Sequence, residues 1–173
     1  NDKRLVSIDE AASKIAAAKK ASSHLVIIAR TDAAAVEGLD GAIERAKAYK
    51  AAGADVVFPD GLPTEAEFRR FADEVEGLRM ANMTEFGKTP QFTVEQFARL
   101  GYAMVIFPMT TFRVMMKAVE GVLTEIRDQG TPAAWLDRMQ TRAELYELIN
   151  YEGYNAMDSR LADSGYEEGK SDG

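Results

Sequence analysis

Four short apolar runs set the main constraint on how this chain can fold. They occupy residues 25–29, 56–59, 78–83 and 103–107, and they recur at intervals of roughly 25 to 30 residues, with helical patterns between them. Three are continuous rather than alternating, the pattern of strands covered on both faces. The run at 78–83 is interrupted by Arg79 and Asn82. Ser7 with Glu10 three residues on forms a capping box ahead of an Ala-rich helix reaching about residue 21. Helices are also expected over residues 39–52, stopped by Gly53, over 64–75, over 93–100, stopped by Gly101, and over 111–129, stopped by Gly130. Strands alternating with helices imply a parallel sheet with right-handed crossovers. No Gly-x-Gly-x-x-Gly follows any run, which disfavours a dinucleotide-binding sheet. A (β/α)8 barrel needs eight strands and four are legible, so the chain reads as an open sheet or as half of a barrel.

Beyond Gly130 the pattern changes. Thr131 and Pro132 read as a helix start, and two short helices run to about residue 151, carrying apolar stripes at Trp135, Leu136, Met139, Leu145, Leu148 and Ile149. The division expected is 1–130 for the half-barrel, 131–158 for C-terminal helices, and 159–173 for a polar, disordered tail. The chain has no cysteine, which removes disulfides, thiolate metal sites and a cysteine nucleophile from this stretch. No apolar run approaches the length of a membrane helix, and a net charge of −7 argues against a nucleic-acid binder. A cytoplasmic location is expected.

In a parallel barrel the working groups sit at the carboxyl ends of the strands. Those ends carry Arg30, Thr31 and Asp32; Asp60; Asn82, Thr84 and Glu85; and Thr110, Thr111 and Arg113. The opposite ends carry Ser23, His24, Asp55 and Tyr102, without a comparable cluster. Two arginines with an amide and hydroxyls suit a small polycarboxylate, because guanidinium groups give permanently charged, bidentate donors. Each residue also has a purely structural reading: Asp32 as a loop cap, Arg113 as a solvent-facing residue of a helix start, Glu85 as a partner for Arg30. His24, the only histidine, is read as structural, and the methionines as core filling.

Ile28-Ala29-Arg30-Thr31-Asp32-Ala33, Glu37-Gly38-Leu39-Asp40, Ala42-Ile43-Glu44-Arg45-Ala46 and Ala52-Gly53-Ala54-Asp55 resemble the isocitrate lyase and phosphoenolpyruvate mutase superfamily. Ala81-Asn82-Met83-Thr84-Glu85-Phe86-Gly87, Phe107-Pro108, Phe112-Arg113 and Met139-Gln140-Thr141-Arg142-Ala143-Glu144-Leu145-Tyr146 are similar to the 2-methylisocitrate lyases within it. The resemblance implies an α/β fold that is the C-terminal half of a (β/α)8 barrel, about four βα units plus C-terminal helices. It implies a homotetramer whose C-terminal helices are exchanged between subunits. The implied reaction is retro-aldol cleavage of 2-methylisocitrate to pyruvate and succinate, in the methylcitrate cycle of propionate catabolism. Mg²⁺ is implied as a Lewis acid stabilising a developing enolate of pyruvate.

Substrate-contacting positions carried over are Arg30, Asp60, Asn82, Thr84, Arg113 and Arg142, with the backbone at Met83. Asp32, Asp60 and Glu85 are acids placed around a metal rather than on it. Asp60 stands where such lyases usually have Glu. The family's metal ligands and the loop bearing its acid/base cysteine precede the stretch that matches here. The chain is therefore expected to act only with an N-terminal half of the same enzyme. Alternatives are another superfamily activity (isocitrate lyase, oxaloacetate decarboxylase, or phosphonate mutase or hydrolase) and an inert fragment or completing subunit.

Overall fold

The computed structural model describes residues 3–22 and 24–163. Ser23 and residues 164–173 of the expected tail lie outside them. The chain divides into two compact units, Asn1–Met115 and Met116–Gly173, earlier than the sequence boundary at 130 and inside the long helix. In chain order the elements are α1 (Ile8–Ala21), β1 (Ile28–Thr31), α2 (Gly38–Ala51), β2 (Val56–Pro59), α3 (Glu65–Glu74), β3 (Leu78–Asn82), α4 (Val94–Arg99), β4 (Met104–Ile106), α5 (Thr110–Gln129), α6 (Arg142–Leu148) and α7 (Tyr151–Asp163). No helix among the described residues is long and apolar enough to cross a membrane.

In the first unit the four strands are parallel and lie in the order β1-β2-β3-β4. Right-handed crossovers that always advance in one direction place every connecting helix on the same face. That is the pattern of consecutive staves of a (β/α) barrel, and it excludes a doubly wound sheet, whose order reverses. Side-chain alternation then divides the sheet by parity. Odd-numbered Ala29, Val57 and Ala81 face the helices and join Ile43, Phe68, Phe71 and Phe97 in the larger core cluster. Phe68 sits edge-on to Phe97 and Tyr102, with ring centroids 5.1 and 5.4 Å away. Even-numbered Val56, Phe58 and Met80 form a smaller cluster on the other face, with Met104 and Ile106 against it.

Local signals explain the boundaries. Ser7, Thr64 and Thr93 each accept a hydrogen bond from the backbone N–H three residues on, which starts α1, α3 and α4. Gly53 and Gly101 follow α2 and α4 with φ of +100° and +81°, conformations that a side chain would strain. The first strand begins at Ile28 rather than at residue 25. Leu25 and Val26 have no strand beside them and are 65 % exposed, whereas Ile27 is already tied to Asp55 on β2's side through its N–H and its carbonyl. The interruption at Arg79 is on the helix-facing side, where its guanidinium donates to the Gly101 carbonyl; Asn82 ends β3 on the other face.

The second unit is built on the later turns of α5. Trp135, in a 3₁₀ turn at Ala133–Arg138, lies so close to Gly121 that a Cβ there would meet its ring at 2.4 Å. Pro132 occupies the cap of that turn, and Thr131 Oγ1 accepts from the Ala133 N–H. Thr141 and Glu144 form a reciprocal capping box at α6. The last helix, α7, continues through Ser159 to Asp163, into the stretch that composition marks as tail.

Candidate functional site

The parity that sorts the core also builds the site. Arg30 and Asn82 close β1 and β3 on the even-numbered face, and Asp60 follows the last residue of β2. All three side chains thus rise from one face of adjacent strands at their carboxyl ends. Arg30 lies over the Phe58 ring, 5.3 Å from its centroid, which holds the guanidinium flat. From there its Nε and Nη2 donate to the two oxygens of Asp32 at 3.0 Å each, and Nη2 donates to Asp60 Oδ2 at 2.8 Å. The other Asp60 oxygen accepts from Asn82 Nδ2 at 3.2 Å, and Asn82 Oδ1 accepts from the Thr84 hydroxyl at 2.8 Å. A single hydrogen-bonded run therefore crosses three strand ends. Its electrostatics follow: hydrogen bonding from Arg30, reinforced by Lys3, pulls the Asp32 carboxyl down to about 2 against the opposing effect of burial, and Asp32 in turn raises Arg30.

A second group stands at the next end. Glu85 accepts from the Thr110 hydroxyl at the start of α5, and this hydrogen bond leads in lowering its carboxyl. Its Oε2 is buried without a hydrogen bond and faces Arg113 Nε at 3.7 Å. Arg113 also stacks over Phe86, 5.1 Å from the ring centroid. Glu85 is thus a partner of Arg113 rather than of Arg30. The first network borders a cavity of about 630 Å³, lined by Asp32, Asp60, Asn82 and Thr84 together with Lys3 and Lys88.

Two sequence candidates are placed differently from these. The Met83 backbone N–H donates to the Ile106 carbonyl at 2.8 Å and its side chain is fully buried, so the N–H serves the sheet. Arg142 opens α6 in the second unit, whereas both groups described above lie in the first. At the opposite strand ends, His24 is exposed, Tyr102 donates to the Phe68 carbonyl, and Asp55 binds Lys19 and the Ile27 N–H. These are structural contacts. Lys3 is the residue that motif reading missed. Buried Arg45, paired with Glu37 through two hydrogen bonds of 2.7 Å, also donates to the Val6 carbonyl at 2.9 Å. That fastens the leading segment on α2, and Lys3 Nζ reaches Asp32 Oδ1 at 2.6 Å.

Magnesium requires near-octahedral oxygen ligation. Among the described residues no group of three His, Cys, Asp or Glu comes together to hold a metal. Both oxygens of Asp32 and of Asp60 already accept from donors, and Glu85 serves Thr110 and Arg113. The described residues do not by themselves fit a Mg²⁺ ion.

Comparison with known proteins matches this architecture. The chain is 51 % identical over 162 residues to a 2-methylisocitrate lyase of Halalkalibacterium halodurans, covering 94 % of this chain and 54 % of that protein. The corresponding figures for the Bacillus subtilis 2-methylisocitrate lyase are 48 %, 94 % and 54 %. The chain thus spans about half the length of the curated relatives it matches. Among solved structures, a 2,3-dimethylmalate lyase superposes with a TM-score of 0.82 at 26 % identity, over 95 % of this chain and 56 % of that one. A phosphonopyruvate hydrolase in complex with oxalate and Mg²⁺ superposes at 0.77 and 28 % identity, over 92 % and 58 %. Both superpose on little more than half of the solved chain, as expected for part of a barrel. Residues 1–127 match the family described as phosphoenolpyruvate phosphomutase, and the chain belongs to that family.

Proposed function

We propose that this chain is the C-terminal half of a 2-methylisocitrate lyase, cleaving 2-methylisocitrate to pyruvate and succinate when joined to its N-terminal half. The observation that carries the reading is the run Arg30–Asp60–Asn82–Thr84 across three strand ends of a chain about half identical to such lyases. Arg30 and Arg113 would hold substrate carboxylates, and Asn82 and Thr84 would fix orientation, with Asp60 aligning Arg30 and Asn82 together. Arg142 is carried over as a further substrate arginine, and the backbone at Met83 through its carbonyl, since its N–H is committed. In the cleavage the substrate hydroxyl loses its proton, the adjacent C–C bond breaks, and the electron pair stays on the succinate carbon, which is then protonated. Electron balance therefore corrects one expectation: pyruvate leaves as the ketone, and the developing charge lies on the succinate half. The chain holds no cysteine, so the acid/base group is assigned to the preceding half.

Mg²⁺ is proposed by analogy with the phosphonopyruvate hydrolase solved with oxalate and Mg²⁺, its ligands likewise lying in the preceding half. When bound it would supply Lewis-acid polarisation of the substrate oxygens. A cytoplasmic homotetramer is proposed as the working form. It is supported by the exposed apolar side chains Leu136, Leu148 and Tyr154 of the second unit, which exchanged helices would cover. The test is product analysis with full-length protein, with and without added Mg²⁺. Pyruvate and succinate in equal amounts from 2-methylisocitrate, lost on chelation, support the reading. Turnover of isocitrate, oxaloacetate or phosphonopyruvate in preference overturns it.

A further inference from the structure

A count of charge around the cavity singles out Lys88. Lys3 and Arg30 face Asp32 and Asp60 at 2.6 to 3.0 Å, two cations against two anions. Arg113 faces Glu85 at 3.7 Å, one against one. Among the described residues Lys88, which lines the same cavity, has neither an ion pair nor a hydrogen bond from its ammonium group. Of the charged residues that line the cavity, Lys3 and Asp32 meet each other and Asp60 is met by Arg30 from beside it, so Lys88 is the lining charge left without a partner among the described residues.

The loop that carries Lys88 is held on both sides. The Thr89 hydroxyl donates to the Leu62 carbonyl at 2.7 Å, and Phe86, at φ +61°, lies under the Arg113 guanidinium. Arg30 and Arg113 can direct hydrogen bonds at carboxylates, but their charge is already met by neighbouring acids. A ligand with several carboxylates gains net Coulombic attraction chiefly from Lys88. We propose that Lys88 is a specificity-determining residue that takes a carboxylate of the substrate and favours tricarboxylates over dicarboxylates. This rests on reading the cavity as a polycarboxylate site.

The test measures binding of tricarballylate and of succinate by calorimetry to full-length wild type, Lys88→Met and Lys88→Arg, at low and high salt. The expected result is that Lys88→Met weakens tricarballylate about fivefold, weakens succinate less, and flattens the salt dependence, while Lys88→Arg stays within about twofold of wild type. The rise in KM for the cleaved substrate should exceed any fall in kcat. Equal weakening of both acids, or no weakening of either, overturns the proposal. If wild type fails to cleave 2-methylisocitrate yet Lys88→Met loses tricarballylate selectively, the lyase reading falls and the role of Lys88 stands. If cleavage occurs and Lys88→Met binds as wild type, the reverse holds.

Discussion

Asn82→Asp exchanges an amide for a carboxyl of the same shape and turns one attractive contact into a repulsive one. In the native protein Asn82 Nδ2 donates to Asp60 Oδ1 at 3.2 Å, and Asp60 is only 18 % exposed. Two carboxylates at that distance repel by about 5 kcal/mol at an effective dielectric of about 20. Water reaching the open cavity and relaxation of the pair reduce this to about 2 kcal/mol. That corresponds to a shift of about 1.5 pH units, so the introduced carboxyl titrates between about pH 5 and 6, and the pair shares one proton below that range. The sign follows: a carboxyl whose folded value is raised retains its full contribution below the unfolded value near 4 and loses it as pH rises through the folded value. The variant should melt close to wild type at about pH 4 and fall about 2 kcal/mol behind by about pH 7. Its kcat/KM should drop about thirtyfold or more at neutral pH, since the new charge also repels a polycarboxylate. Paired urea melts and steady-state assays across that range measure both effects. A variant whose stability difference from wild type does not change with pH would refute the contact between Asn82 and Asp60.

Two further perturbations probe the frame around the site. The Asp32 carboxyl, held at about 2 against an ordinary 3.8, contributes stability above about pH 4 that disappears as pH falls through about 2. Because its partner Arg30 is 49 % exposed on its side chain, that contribution is about 1 kcal/mol, and acid melts of Asp32→Asn should converge with wild type near pH 2. Phe68→Ala removes a ring that is 2 % exposed and packs edge-on to Phe97 and Tyr102; urea melts should show a loss of about 3 to 5 kcal/mol with little change in slope.

The β2 run at 56–59 and the caps at Ser7, Thr64 and Thr93 are readable in the sequence because each depends on neighbours within a few residues. The start of β1 is not, because it depends on a partner 28 residues away: Asp55 closes on Ile27, and pairing begins beside Val56. Arg30 and Asn82 carry a legible signal, since they share the even parity of Phe58 and Met80 and so must leave the sheet on one face. Which acid serves which arginine is not legible. Glu85 turns to Arg113 because α5 starts with Thr110 directly beside it, a relation of tertiary spacing alone. Lys3 reaches Asp32 because the buried Arg45 fastens Val6, two contacts that no local motif links. Lys88 directly follows the stretch whose resemblance drew attention to Asn82 and Thr84, and its distinction appears only after the other charges around the cavity have been paired.

We propose that one polycarboxylate spans the strand ends from Arg30 to Arg113, and a crystal structure of the full-length protein with pyruvate and succinate bound decides whether it does. Product carboxylates are expected within about 3.2 Å of the Arg30 and Arg113 guanidinium groups, with Asn82 or Thr84 donating to the same ligands. Products bound away from these side chains, with the Arg30–Asp60–Asn82 run turned from them, would contradict it.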